Sequence, residues 1–323
     1  MTHHPSRREL LRLAALASAF ALPAMPLGAA IGGPRGTQAP GFFRFSVGDF
    51  AVTVLSDGHL ETPAALLGAN AHPAEVARFL EAHHLSSEIN LAHTNHALID
   101  TGEARVLVDV GSGNRFQPTA GRLMANMAAA GIDPASITHV VLTHAHPDHV
   151  WGMLDDFDDP VLPDARLLIG AAEAAFWLAP GRVDQVPEAM KPFVVGAVRS
   201  LEPVRDRLEL VEDGHEVVPG LRMIATPGHT PGHMSLLAES GGQALLVTGD
   251  AANHALISFQ RPDWVFGFDA DGARAVLTRR RLAAMAAERG MAVLGYHFPF
   301  PGVGHVLAEG PAFRFLPALW RWQ

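Results

Sequence analysis

Three histidines and an aspartate fall within six residues of the stretch THAHPDHVWG, Thr143 to Gly152. Their positions are His144, His146, Asp148 and His149. Residues two apart on an extended segment point the same way, so His144 and His146 can grip one ion. Pro147 then bends the chain and frees Asp148 and His149 to turn toward a second ion. Imidazole nitrogen with carboxylate oxygen suits zinc, and manganese, iron or cobalt also accept such a mixed set. A lone His-x-His is weak evidence, because surface loops collect histidines. The full run at a strand end is specific, and ITHVVL just before it (Ile137 to Leu142) is a short, β-branched, apolar stretch that reads as a buried strand.

Three later segments repeat that placement. TPGHTPGH (Thr226 to His233), VTGD (Val247 to Asp250) and GYHFPFPGVGH (Gly295 to His305) each offer one ligand just after an apolar run. Cysteine is absent, so a metal site must use histidine and carboxylate, and no disulfide is available.

The elements that must position these groups follow from periodicity. FAVTVLSDG (Phe50 to Gly58), NHALIDTG (Asn95 to Gly102) and ARVLVDVG (Ala104 to Gly111) read as strands, the last two joined as a hairpin across Thr101 and Gly102. LRMIATPG, MSLLAES, QALLVTGD and MAVLGYHF read as further strands. Helical spacing appears at Pro73 to His84, Thr119 to Gly131, Ala171 to Ala179 and Ala273 to Gly290. Strand runs broken by single helices, with no repeat period, predict an α/β sandwich in one domain.

The chain has 323 residues, 48% of them hydrophobic, enough for a substantial core. With 24 Lys+Arg against 33 Asp+Glu, a formal charge of −9 and no basic stripe, nucleic acid is not an expected partner. At the N-terminus SRRELLR (Ser6 to Arg12), then LAALASAFAL and the small residues Gly28 to Ala30, resemble a twin-arginine export signal. Pro23 and Pro26 end the apolar run short of the roughly 20 residues of a spanning helix, which argues against a stable membrane anchor. Residues 1–30 are therefore expected to be a cleaved signal, 31–41 a Gly/Pro-rich linker, and the location periplasmic or secreted.

The order of His-x-His-x-Asp-His followed by His, Asp and His resembles the metallo-β-lactamase superfamily over nearly the whole chain after the signal. The resemblance implies an αββα four-layer sandwich for residues 42–323 and two divalent metal ions, foremost zinc. It implies that His144, His146 and His229 hold one metal, that Asp148, His149 and His297 hold the other, and that Asp250 bridges both. Two ions can share a water, whose pKa falls from ~15.7 toward ~7, so the implied reaction is attack of a bridging hydroxide on carbonyl carbon or phosphorus. Asp250 and Asp148 are then catalytic in holding that nucleophile.

A narrower likeness rests on APGFFRFSVGDFAVTVLSDG, FQPTAGRLMANMAAAG, the FWL of Phe176 to Leu178, and HFPFPGVGH. These resemble methyl parathion hydrolase and its lactonase-like relatives, and place Phe116, Trp177 and Phe193 at the positions of aromatics lining the leaving-group pocket. The implied function is an exported hydrolase of aryl esters, lactones and organophosphate triesters. Relatives that open acyl-homoserine lactones typically carry a tyrosine three residues after the bridging aspartate, where this chain has Asn253. Its single tyrosine is Tyr296, and either Tyr296 or His254 could polarise a substrate, His254 from the pocket.

Asp109, His233 and His305 are candidates for supporting the ligands from behind. His83, His84, His93, His96, His139 and His215 are read as non-ligands, and Asp57 as a turn residue. The alternatives are an acyl-homoserine lactonase, a β-lactamase, a thioester hydrolase, and a metal-binding protein without catalysis. The expected partner is a small-molecule substrate, and the resemblance leaves room for a homodimer.

Overall fold

A computed structural model describes residues 39–319. The export signal and residues 31–38 of the linker lie outside the described residues, and no described helix is long and apolar enough to cross a membrane. The first sheet runs in chain order: β1 (Phe42–Val47), β2 (Phe50–Pro63), β3 (Ile89–Asp100), β4 (Arg105–Val108), β5 (His139–Leu142), β6 (Arg166–Gly170) and β7 (Leu208–Val211). Its first four strands are antiparallel and the rest add in parallel. The second sheet holds β8 (Glu216–Val218), β9 (Leu221–Ala225), β10 (Met234–Ser240), β11 (Gln243–Val247), β12 (Ala292–Leu294), β13 (Val303–Glu309) and β14 (Ala312–Pro317), again in chain order. The predicted hairpin is present, with Leu98 opposite Leu107.

Alternation along the strands explains the layers. Val141 and Leu168 point inward to meet Met223, Leu236, Val247 and Leu294 of the other sheet. Their neighbours Val140, Leu142, Leu167 and Ile169 point outward. There they meet α1 (Leu123–Ala129), α2 (Ala171–Trp177) and α3 (Lys191–Leu201) through Leu123, Met127, Trp177 and Val194. Strands buried on both faces read as continuous apolar runs, as ITHVVL does. On the far side α4 (Gly272–Arg289) lays Leu282, Ala283 and Ala286 over Leu246 and Val293. The result is the expected αββα sandwich.

Two expectations need correction, and one helix was not expected. The helix expected over Thr119 to Gly131 starts only at Leu123, whose N–H is donated to Asp57 Oδ1, and ends at Ala129. The strand expected in MAVLGYHF keeps three residues, since the chain turns at Gly295 toward the metal-ligand candidate His297. Helix α3 was not foreseen; its apolar residues follow a Gly/Pro-punctuated stretch that weakened the helical signal.

Candidate metal centre

The seven donors proposed from the sequence come together at one edge of the two sheets, and all seven are buried. His144 and His146 follow β5 on extended backbone, while Asp148 and His149 sit on a single helical turn, Pro147–Val150, with Pro147 at its first position. His229 lies in the loop between β9 and β10, Asp250 in a turn (Gly249–Ala251) after β11, and His297 after β12. Gly249 has φ +52, and a Cβ there would meet His233 Nε2 at 2.7 Å, so glycine is required to aim Asp250 inward.

Three imidazole nitrogens converge on one point: His146 Nδ1 is 3.1 Å from His144 Nε2 and 2.9 Å from His229 Nε2. Beside it His149 Nε2 is 3.4 Å from Asp148 Oδ2, and His297 Nε2 is 3.5 Å from that same oxygen. Asp250 stands between the two groups. Its Oδ2 is 3.3 Å from His229 Nε2 and 3.1 Å from His297 Nε2, and its Oδ1 is 3.3 Å from His149 Nε2.

The residues fit a pair of divalent cations on an observation internal to the chain. Asp148 Oδ2, His149 Nε2 and Asp250 Oδ1 are buried with no hydrogen-bond partner, an arrangement that costs stability unless a cation is coordinated. The outer nitrogens, by contrast, are engaged. His149 Nδ1 lies 2.7 Å from Asp109 Oδ2, His229 Nδ1 3.1 Å from Asp269 Oδ1, His297 Nδ1 2.8 Å from His93 O, and His144 Nδ1 3.0 Å from Thr143 Oγ1. Such contacts fix ring orientation and tautomer in metal sites.

Electrostatics point the same way. Burial pushes His144 and His146 well below the usual imidazole range, and the neighbouring imidazoles push further, so both keep a free lone pair. Burial also opposes charge on His149 and His297, but the carboxylates around them outweigh it and raise both. Burial resists ionisation of Asp250, yet His297, His149 and His229 hold its carboxyl well below the ordinary range. The cluster draws positive charge to this point, as protons on imidazole or as a cation.

The supporting residues separate. Asp109 Oδ1 accepts from Thr143 N and its Oδ2 from Thr143 Oγ1 as well as facing His149. His233 Nε2 accepts the Asp250 backbone N–H, and burial lowers this histidine to about 3, leaving it neutral for that task. His305 is a correction: it is exposed on β13 with Nδ1 against Met291 O, because the chain between His297 and β13 leads away from the centre.

Phe116 and Phe193 line the cavity over the donors, together with Phe266, Phe268, Leu60 and Thr62. Trp177 does not. It is buried behind His146, ring centroids 5.5 Å apart, with its indole N–H donated to Glu173. His254 is also absent from the lining, because its Nδ1 accepts the backbone N–H groups of Leu256 and Ile257. Tyr296 donates its hydroxyl to Asp148 O and stacks on His149, so it buttresses ligands rather than facing the cavity. Sequence reasoning missed Asp269, Glu173, Phe266 and Phe268, none of which stands in a ligand motif.

His254 supplies a pH prediction. Burial lowers it to about 4, so the folded chain takes up its proton later than the unfolded chain. Its contribution is full above pH ~6.5 and is lost as pH falls toward 4. His254→Asn keeps an acceptor for the same N–H groups without titrating. Between pH 7 and 4.5 the wild type should lose about 1 kcal/mol more stability than the variant, after discounting for partial exposure. Urea melts at both pH values measure this, and parallel losses would refute it.

Comparison with known proteins decides the family. The model of the metallo-beta-lactamase superfamily matches residues 90–297. The chain belongs to the metallo-β-lactamase superfamily. It is a metal-dependent hydrolase of that fold. It is 25% identical over 207 residues to an N-acyl homoserine lactonase of Bacillus cereus, covering 58% of this chain and 75% of that protein. Among superfamily structures, the dizinc quorum-quenching lactonase AidC, solved with a product, aligns with TM-score 0.77 and 25% identity, covering 87% of this chain and 98% of the other. The hydrolase AbOPH aligns with TM-score 0.82 and 27% identity, covering 88% and 100%.

Proposed function

We propose that this protein is a dizinc hydrolase of neutral lactones and esters, aryl lactones and aryl esters foremost, with organophosphate triesters as side substrates. In this reading His144, His146 and His229 would hold one zinc and Asp148, His149 and His297 the other, with Asp250 placed to serve both. The observation that carries the substrate class is the cavity wall. Phe116, Phe193, Phe266 and Phe268 surround the donors, and no lysine or arginine is among the lining residues. An apolar arm gains from burial there, while an anionic substrate finds no cation of the protein to meet it. That disfavours a β-lactamase or a glutathione-type thioesterase, whose substrates carry carboxylates.

Bound divalent ions would supply a water of pKa near ~7 and polarise the substrate's carbonyl or phosphoryl oxygen. The chain's own groups do the remainder. Asp250 and Asp148 present their carboxylates to the cavity, and Asn253 Nδ2 donates to Asp250 Oδ2 at 3.2 Å, which holds that carboxylate in one rotamer. The phenylalanines exclude bulk water and seat the leaving group.

An acyl-homoserine lactonase is the second reading, supported by the similarity to N-acyl homoserine lactonases. Against it stands Asn253, which points at Asp250 where those relatives typically have tyrosine, and Tyr296, whose hydroxyl is already committed to Asp148 O. The test compares kcat/KM of zinc-loaded protein on dihydrocoumarin, methyl paraoxon and hexanoyl-homoserine lactone. Dihydrocoumarin should exceed methyl paraoxon by about a hundredfold, a difference of about 2.7 kcal/mol. A larger value for the homoserine lactone would favour the second reading, and paraoxon ahead of both would overturn the order proposed.

A further inference from the structure

Glu173 is fully buried in α2, and the groups that act on its carboxylate are neutral hydrogen-bond donors. Burial pushes its carboxyl above the ordinary range, and four hydrogen bonds pull it back. Oε1 accepts from Ala145 N at 3.0 Å and from the Trp177 indole at 2.6 Å; Oε2 accepts from Thr230 Oγ1 at 2.6 Å and Gly232 N at 3.0 Å. A carboxylate offers about four lone-pair sites, and all are used.

The four donors share a location. Ala145 lies between His144 and His146, Thr230 follows His229, and Trp177 backs the His146 ring. The first segment ends a strand of one sheet and the second joins two strands of the other. Gly232 lets them meet, since a Cβ there would lie 2.0 Å from Glu173 N. An unpaired buried carboxylate is a costly way to join two loops; its placement is explained if those loops must hold a fixed separation.

We propose that Glu173 is a positioning residue for the three-histidine half of the centre, one carboxylate that sets the distance between the His144/His146 segment and His229. The proposal rests on the ligand set of the proposed function. Thr143 O also accepts from Met234 N at 2.9 Å, so the segments stay adjacent without Glu173 and only their fine spacing is released.

Glu173→Gln keeps the shape but turns an amide NH₂ toward either Ala145 N or Gly232 N, donor against donor. Thr230→Val, milder for folding, removes one donor only. Metal-free wild type, both variants and Asp109→Asn are titrated with ¹¹³Cd²⁺ and followed by ¹¹³Cd NMR, which separates the nitrogen-rich site of three histidines from the oxygen-richer one that adds Asp148. In Glu173→Gln the nitrogen-rich resonance should need about tenfold to a hundredfold more free cadmium, with the other site unchanged. Thr230→Val should shift the same resonance about threefold, and Asp109→Asn should weaken the other site. Unchanged filling in Glu173→Gln, or equal weakening of both sites, overturns the tie. Two resonances in wild type uphold the centre independently, whereas one or none overturns the centre and the tie together.

Discussion

Asp250→Ala is expected to lower kcat/KM by about a thousandfold or more on every substrate, a loss of about 4 kcal/mol of transition-state stabilisation. Its carboxylate stands against both halves of the centre, Oδ2 between His229 and His297 and Oδ1 toward His149. Losing the carboxylate therefore weakens both cation positions at once. Asp250→Asn keeps the volume and one oxygen but not the charge. It should recover little activity while matching wild type in metal-free stability more nearly than the alanine variant does. Initial rates at saturating zinc, with zinc content measured on the same samples, check this; a rate within tenfold of wild type would refute the bridging role.

The second large effect is expected at Asp109. This residue holds a left-handed backbone (φ 60) and is fully buried. Alanine shares the aspartate Cβ, so the backbone strain differs little between them, but it leaves the buried Thr143 N–H without its acceptor, at about 1–3 kcal/mol. Asp109→Ala should thus lose roughly 1–3 kcal/mol of stability. It should also bind zinc about tenfold to a hundredfold more weakly at the Asp148, His149, His297 position. Asp109→Asn tolerates the same backbone and keeps one oxygen for Thr143, so it should lose less stability than alanine but comparable zinc affinity. Urea denaturation and competition against a chelating dye separate the two effects. An asparagine variant as unstable as alanine yet wild-type in zinc binding would contradict this division of roles.

How much was legible follows from where the information sits. The ligand run was readable because backbone geometry ties His144, His146, Asp148 and His149 to one strand end, so spacing alone encodes function. The sandwich was readable because strands covered on both faces leave unbroken apolar runs. Residues acting across sequence distance were not. Asp269 reaches His229 from 40 positions away, and Glu173 reaches Thr230 across 57. Neither belongs to a local pattern, and a glutamate inside a helical run reads as a solvated face. Trp177 and His254 show the converse. Each carries pocket-like chemistry, but Trp177 gives its N–H to a buried carboxylate and His254 caps a turn. Phe266 and Phe268 line the cavity from a segment without regular structure, where periodicity gives no orientation.

The most direct test of the central claim is a crystal structure of zinc-loaded protein with anomalous data on both sides of the zinc edge. Two peaks are predicted, one among His144, His146 and His229 and one among Asp148, His149 and His297, with Asp250 in contact with both. A single peak, or two that leave Asp250 uncoordinated, would contradict the dinuclear centre on which the proposed chemistry depends.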